Sequence, residues 1–275
     1  MTPTGGPDAT ESLKPRPWPQ PHARTSVSVV IPTKDESRNI GWVLQKLPPT
    51  VDEVILVDSS CDDTVAVARA IRPDIKVVRE SRSGKGTALR TGFETARCEF
   101  VVMIDADGSM DPAEIERYVS ALQAGYELVK GSRFLPGAGT ADMEPLRQWG
   151  NAALRSLVNV LYRARFTDLC YGYMAFRRDR LTSLQLQADG FEIETEIVVR
   201  ALKARLDVGE VPSFEALRRN GASHLNVWRD GSRVLRTLVV ERVARHNGTL
   251  ADRSLEADPR PSVPPVPGSQ PEPVN

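Results

Sequence analysis

Soft metal ligands are scarce in this chain. The three cysteines, Cys61, Cys98 and Cys170, stand far apart in no CxxC pattern, and the three histidines, His22, His224 and His246, are equally scattered. No zinc site assembles from such spacing, and the cysteine usage fits a reducing cytoplasm. Net charge is missing too. Lys plus Arg and Asp plus Glu each number 36, so global electrostatics gives no case for a nucleic-acid partner. No run approaches the roughly 18 consecutive apolar residues of a membrane span, and the amino terminus lacks the apolar core of a signal peptide. A cytoplasmic protein is expected, with at most a peripheral attachment to a membrane. Two nucleotide loops are absent as well. Gly86 stands where the Ser or Thr of a Walker A loop would follow Lys85, Arg79 stands where its first Gly would be, and no GxGxxG follows the first apolar run. Phosphate-loop ATPases and dinucleotide dehydrogenases are therefore disfavoured.

What is present is an ordinary globular composition, 40% hydrophobic and 26% charged over 275 residues. Proline crowds the two ends, with six in residues 1–25 and seven in 252–275, so 1–25 and 251–275 read as disordered Pro-rich tails around one folded domain, 26–250.

Within that domain the stretch FVVMIDADGSMDPAEI, Phe100 to Ile115, is central. A strand-like apolar run stops at Asp105 and Asp107, two carboxylates one residue apart at the carboxyl end of a buried strand, where open α/β sheets bind ligands. Hard oxygen ligands suit Mg²⁺ or Mn²⁺, and such an ion usually completes its shell with substrate phosphates. The same residues also suit a turn at Asp107-Gly108 and a helix cap at Asp111. Context has to separate the two.

The context is a repeated strand, acidic loop and helix. Val27 to Ile31 leads into Pro32-Thr33-Lys34-Asp35-Glu36 and a helix through Ile40, Val43, Leu44 and Leu47; Val54 to Val57 leads to Asp58 and a second helix; Lys76 to Arg79 is a third strand. Alternation of this kind argues a parallel sheet with right-handed crossovers, which puts the loops on one edge. Asp35, Glu36, Asp58, Asp105 and Asp107 would then converge on one crevice, suited to a base and ribose held by carboxylates and a diphosphate held through metal. Helix capping is the alternative for Asp35 and Asp58 individually. Lys85, flanked by Gly84 and Gly86 at a helix start, can approach phosphate closely.

Glu127 to Lys130 reads as a fifth strand, Pro136 to Pro145 as a lid or a plain surface loop, Leu146 to Tyr162 as a helix and Tyr171 to Arg177 as a further strand. Phe191 begins a helix whose Glu192, Glu194 and Glu196 point to varied faces, so at most one or two reach a common site. From Phe214 to His246 seven arginines face three acids. This local basic surface suits an anionic acceptor or lipid headgroup, whereas Arg229, Arg233 and Arg236 read better as the solvated face of a terminal helix. Leu235 to Val240 is a candidate homo-oligomer interface.

The motifs VSVVIPTKDESRNI, EVILVDSSCDDT, GKGTALRTGF, VVMIDADGSMDP, KGSRF, GYMAFRRD, FEIETEI and EVPSFEALRRNGASH together resemble the family-2 nucleotide-sugar glycosyltransferases of GT-A fold, in particular the branch containing dolichyl-phosphate mannosyltransferase and its bacterial relatives. The resemblance implies an α/β, Rossmann-like mixed sheet flanked by helices, with a nucleotide-binding half (26–131) and an acceptor half (132–250). It implies that Pro32, Thr33, Asp35, Glu36 and Asp58 line the base and ribose; that Asp105 and Asp107 reach the metal and diphosphate; that Ala106 between them binds the nucleotide sugar; and that Lys85 and Gly86 sit near the donor. Arg133 and Arg177 look like the arginines near the donor diphosphate and acceptor. Arg218, Ser223 and His224 fall in the segment that grips an acceptor phosphate, His224 replacing a more usual Lys. The implied reaction is inverting displacement of nucleoside diphosphate, with polyprenyl phosphate or another anionic or hydroxyl acceptor, and with Glu194 as base if the acceptor is a hydroxyl. A sugar nucleotidyltransferase and a non-catalytic nucleotide-sugar-binding protein are the competing readings. The first lacks its usual Gly-rich basic loop after the first strand.

Overall fold

A computed structural model describes residues 25–243, apart from 83, 142 and 222–226. Its centre is a seven-stranded sheet. The strands β1 (Val27–Thr33), β2 (Glu53–Asp58), β3 (Lys76–Arg79) and β4 (Phe100–Met103) run parallel, separated by helices α1 (Ile40–Lys46), α2 (Thr64–Ile71) and α3 (Lys85–Thr95). Apolar residues fill both faces of these strands, as burial on both sides of a parallel sheet requires. Val54 and Leu56 of β2 and Val102 of β4 enter one core, with Ile40 and Val43 of α1. Ile55, Val57 and Val101 enter the other, with Leu89 and Phe93 of α3. Pro32 falls after the last β1–β4 pair, Val30 with Met103, where a missing N–H breaks no bond to β4.

Beyond β4 the sheet becomes mixed. Helix α4 (Ile115–Gln123) leads to β5 (Leu128–Ser132); the chain then passes through β6 (Gly139–Thr140) and α5 (Pro145–Tyr162) and returns as β7 (Met174–Arg177), antiparallel to both β4 and β5. Short helix α6 (Arg178–Ser183) and α7 (Ile193–Lys203) follow, then β8 (Val208–Pro212), parallel to β5, β9 (Phe214–Glu215) and α8 (Val227–Val243). The strand order is β3-β2-β1-β4-β7-β5-β8, with β6 and β9 forming a separate two-stranded sheet.

The expected elements are present with shifted ends. The strand anticipated from Tyr171 begins only at Met174, although Tyr171 and Tyr173 are fully buried. Strand β8 and the β6–β9 pair had no separate sequence signal. The Gly/Pro-rich loop is partly fixed, since Gly139 and Thr140 pair with Phe214 and Glu215. In α8, Leu238 is buried while Leu235, Val239 and Val240 are exposed, so only part of the candidate interface faces outward. No helix among the described residues is long and apolar enough to cross a membrane.

Candidate active site

The turn after β4 is built by Asp107 itself. Its Oδ1 accepts from the Ser109 N–H at 3.0 Å and from the Ser109 hydroxyl at 2.7 Å, an Asx turn closed by Gly108 at φ 76°. A Cβ on Gly108 would lie 2.6 Å from Arg219 Cδ, so this position also needs a bare backbone. Asp111 caps the short 3-10 turn Pro112–Glu114, accepting from the Ala113 N–H at 3.0 Å. The turn-and-cap chemistry is therefore real, and it leaves Asp105 and Asp107 facing a cleft of about 1190 Å³.

Two basic side chains close on those carboxylates. Lys85, the first residue of α3, places Nζ 2.6 Å from Asp105 and 2.8 Å from Glu194. Burial works against its ammonium, but the two carboxylates outweigh that and hold its pKa above the ordinary lysine value. Burial, helped by the charges of Asp107 and Glu194, pushes the Asp105 carboxyl up to about 6 despite Lys85. Arg218 bridges Glu36 and Asp107, the latter at 3.2 Å. The Arg219 guanidinium stacks on Trp42, 4.6 Å from the ring centre, which pins the same segment.

Pro32, Thr33, Glu36, Lys85, Asp105, Ala106, Asp107, Arg133, Glu194 and Arg218 all line the cleft. Four other residues do not, each for a physical reason. Asp58 is fully buried and accepts from Thr33 Oγ1 at 2.9 Å and from Arg79, so it fixes two loops from beneath. Asp35, at φ 57°, accepts from the Cys61 N–H at 2.9 Å and its own N–H donates to Ser60 Oγ, clasping the loop after β1 to that after β2. At Gly86 a Cβ would lie 2.2 Å from the Ala188 carbonyl oxygen; this glycine packs backbone against backbone, and its N–H donates to Asp189 O at 2.8 Å.

Arg177 is the clearest correction. Because β7 runs antiparallel to β4, Arg177 pairs with Phe100 at the start of β4, the opposite edge of the sheet from Asp105. There it meets Glu99 at 3.2 Å and the Phe100 ring. Arg133 also differs from expectation. It borders the cleft, but its guanidinium grips Asp168 through two bonds of 2.7 and 3.0 Å and Glu215 at 2.9 Å, with 2% of the side chain exposed. Ser223 and His224 lie outside the described residues.

Of the three glutamates near α7, Glu192 and Glu194 line the cleft. Glu196 turns away to accept from the N–H groups of Gln187 and Ala188. The helix arginines Arg229, Arg233 and Arg236 are exposed, as a solvated face requires, and they also border the cleft, as does Arg147 of α5. Their i, i+4, i+7 spacing was the available signal, because it places them on one helical face.

The model for the family described as glycosyl transferase family 2 matches residues 28–184. The chain belongs to that family. It is 30% identical to glycosyltransferase AglJ of Haloferax volcanii, over 82% of this chain and 74% of AglJ. It is 32% identical to polyprenol monophosphomannose synthase of Mycolicibacterium smegmatis, over 72% of this chain and 80% of that protein. Among solved structures it resembles glucosyl-3-phosphoglycerate synthase of Mycobacterium tuberculosis in complex with Mn²⁺, UDP-glucose and phosphoglyceric acid, at TM-score 0.66 and 26% identity over 82% of each chain. The sheet and its flanking helices are thus those of the GT-A fold, and this family-2 chain is a glycosyltransferase. Membership favours transfer over the nucleotidyltransferase and non-catalytic alternatives.

Proposed function

We propose that this family-2 chain moves a hexose, with inversion, from a nucleoside-diphosphate hexose to an anionic acceptor, using a divalent metal held by Asp105 and Asp107. The observation that carries the reading is the convergence of Asp105, Asp107, Lys85, Glu194 and Arg218 in one cleft at the carboxyl edge of the sheet. The donor set fits Mg²⁺ or Mn²⁺: two hard carboxylates, with the remaining ligands left to diphosphate and water. Among the described residues no group of three or more His, Cys, Asp or Glu could hold a metal, so an all-protein cage is not on offer. The solved relative with Mn²⁺ and UDP-glucose supports the same assignment.

When bound, the metal supplies positive charge to the diphosphate as it leaves. The protein's own part is positioning and electrostatics. In this reading residues 26–131 carry the donor and 132–250 the acceptor. Pro32, Thr33 and Ser59 border the nucleoside, and Lys85 and Arg218 supply the cationic side chains at the carboxylates. The bond from the anomeric carbon to the diphosphate oxygen breaks, its electron pair leaving with the diphosphate, while an acceptor oxygen attacks the opposite face. An acceptor phosphate is already a nucleophile and needs no base. For a hydroxyl acceptor Glu194 would take the proton.

The test is release of nucleoside diphosphate from UDP-, GDP- and dTDP-hexoses with Mn²⁺ or Mg²⁺, with and without polyprenyl phosphate, against Asp107→Ala. Release that requires one donor, metal and Asp107 is expected, with severalfold acceleration if polyprenyl phosphate is the acceptor. No release with any donor would overturn the proposal.

A further inference from the structure

The charges that line the cleft are unevenly placed. Around the sheet edge, Glu36, Asp105, Asp107, Asp189, Glu194 and Glu215 outnumber Lys34, Lys85, Arg133 and Arg218 by six to four, a formal excess of two negative charges. The helical wall has the reverse. Arg147 of α5 and Arg229, Arg233 and Arg236 of α8 outnumber Asp230 and Glu192 by four to two, an excess of two positive charges. Glu192 belongs with this wall because a Cβ added to Gly190 would meet both its Oε2, at 2.5 Å, and Arg233 Nη1, at 3.0 Å.

Arg233 and Arg236 are only loosely held by these acids. Asp230 is buried and meets Arg229 at 3.4 Å but Arg233 only at 4.0 Å, the outer limit of an ion pair. Arg236, exposed on the same face, has no ion pair among the described residues. Side chains of this kind, half-exposed on a rigid helix and facing into a concavity, can turn their forked donors to a planar or tetrahedral anion without first breaking a buried pair.

We infer that Arg233 and Arg236, backed by Arg147 and Arg229, form an acceptor-phosphate subsite on the α5–α8 wall, apart from the metal-diphosphate site at Asp105 and Asp107. A phosphate monoester carries about −1.5 to −2 charges at pH 7, which matches the wall's excess, as a divalent cation matches that of the sheet edge. The inference deepens the proposed transfer and rests on it for the word acceptor. The phosphate belongs either to a small phosphorylated molecule or to a polyprenyl phosphate headgroup; the subsite chemistry is the same for both.

Binding without turnover tests it. The full chain, its Arg233→Gln/Arg236→Gln double variant and Arg69→Gln, which removes an exposed arginine from α2 away from the cleft, are titrated calorimetrically with three probes. These are glycerol 3-phosphate, a short-chain polyprenyl phosphate in detergent micelles, and UDP or GDP with Mn²⁺. Removal of two charge-assisted contacts is expected to weaken phosphate-probe binding by at least tenfold in the double variant, with Arg69→Gln like wild type. Nucleotide binding should stay within about twofold. Tighter binding of the first probe identifies a soluble acceptor class, and of the second a lipid one. Equal phosphate binding by wild type and double variant, no phosphate binding by wild type, or a parallel loss of nucleotide binding would each overturn the subsite. Because these readouts do not depend on turnover, they stand apart from failure of the donor-release test.

Discussion

The two ends of β4 carry similar charges and do different things with them. At its amino end Arg177 meets Glu99 at 3.2 Å with the two side chains 34% and 51% exposed. At its carboxyl end Lys85 meets Asp105 and Glu194, and Arg218 meets Glu36 and Asp107, all partly or largely withdrawn from water. Exposed pairs are solvated, screened and worth little, whereas partly buried charges interact strongly and shift one another's protonation. The difference is topological in origin. Parallel strands bring every β-to-α loop to the carboxyl edge, so carboxylates accumulate there behind loops that exclude water, while the amino edge collects ordinary surface pairs.

The carboxyl edge can be discharged without disturbing its turn. In Asp107→Asn the side-chain oxygen can still accept from Ser109, so the Asx turn persists, but a metal and Arg218 lose their charge partner. Nucleoside-diphosphate release is expected to fall by about 10²–10³-fold, with the thermal midpoint nearly unchanged. Activity within threefold of wild type would show that the edge is not the reacting centre.

Within the same carboxyl edge, Arg133 is a charge held for architecture. Its guanidinium ties β5 to Asp168 and to Glu215 of β9, three residues before Arg218, and Thr140 of the partner strand donates to Glu215 at 2.7 Å. Arg133→Leu strands Asp168, which is fully buried. A loss of about 3–5 kcal/mol in urea unfolding is expected, since removing one partner leaves an uncompensated buried charge. A loss below about 1 kcal/mol would place the residue with the surface pairs.

Arg133 also shows what the sequence could and could not disclose. The fold was legible because apolar runs, acidic loop starts and helical spacing agree over Val27 to Met103, and the parallel core follows from that agreement. The antiparallel insertion of β7 was not, since strand direction depends on where a long connection returns. That single fact moved Arg177 to the far edge. Asp105, Asp107, Lys85 and Arg218 were legible because each sits in a loop or helix start whose place is fixed by the sheet. Whether an arginine in such a loop is exposed to the cleft or spent on a buried partner depends on residues distant in the chain: Asp168 lies 35 positions from Arg133, and Glu215 82. Local sequence carries no record of such pairing, so Arg133 and Arg218 look equivalent until the fold brings their partners in.

The same pair predicts a pH dependence. Burial pushes the Asp168 carboxyl up, but hydrogen bonds from Arg133 and the charges of Lys130 and Arg133 outweigh it, so its pKa lies below the ordinary aspartate value. A carboxyl depressed in the folded state contributes stability that is fully present above its unfolded pKa, about 3.9, and lost as pH falls towards the folded value. Wild type should therefore lose stability more steeply than Arg133→Leu as pH falls below about 4, because in the variant that contribution is largely gone. Urea midpoints measured across this range would show converging curves. Parallel curves would mean that Asp168 titrates alike in both states.

The smallest expected effect belongs to the amino edge. Arg177→Ala removes one half-exposed ion pair with Glu99 and a cation–π contact of 5.5 Å to Phe100. Such interactions are each worth about 0–1 kcal/mol at exposed sites. Stability should fall by no more than about 1 kcal/mol, and because β4 separates this residue from Asp105, nucleoside-diphosphate release should stay within about twofold of wild type. A tenfold loss of release with normal unfolding would require Arg177 to reach the reacting groups. The antiparallel register of Phe100 with Arg177 and Met103 with Met174 forbids that, so the result would overturn the strand placement as well as the functional contrast between the two edges.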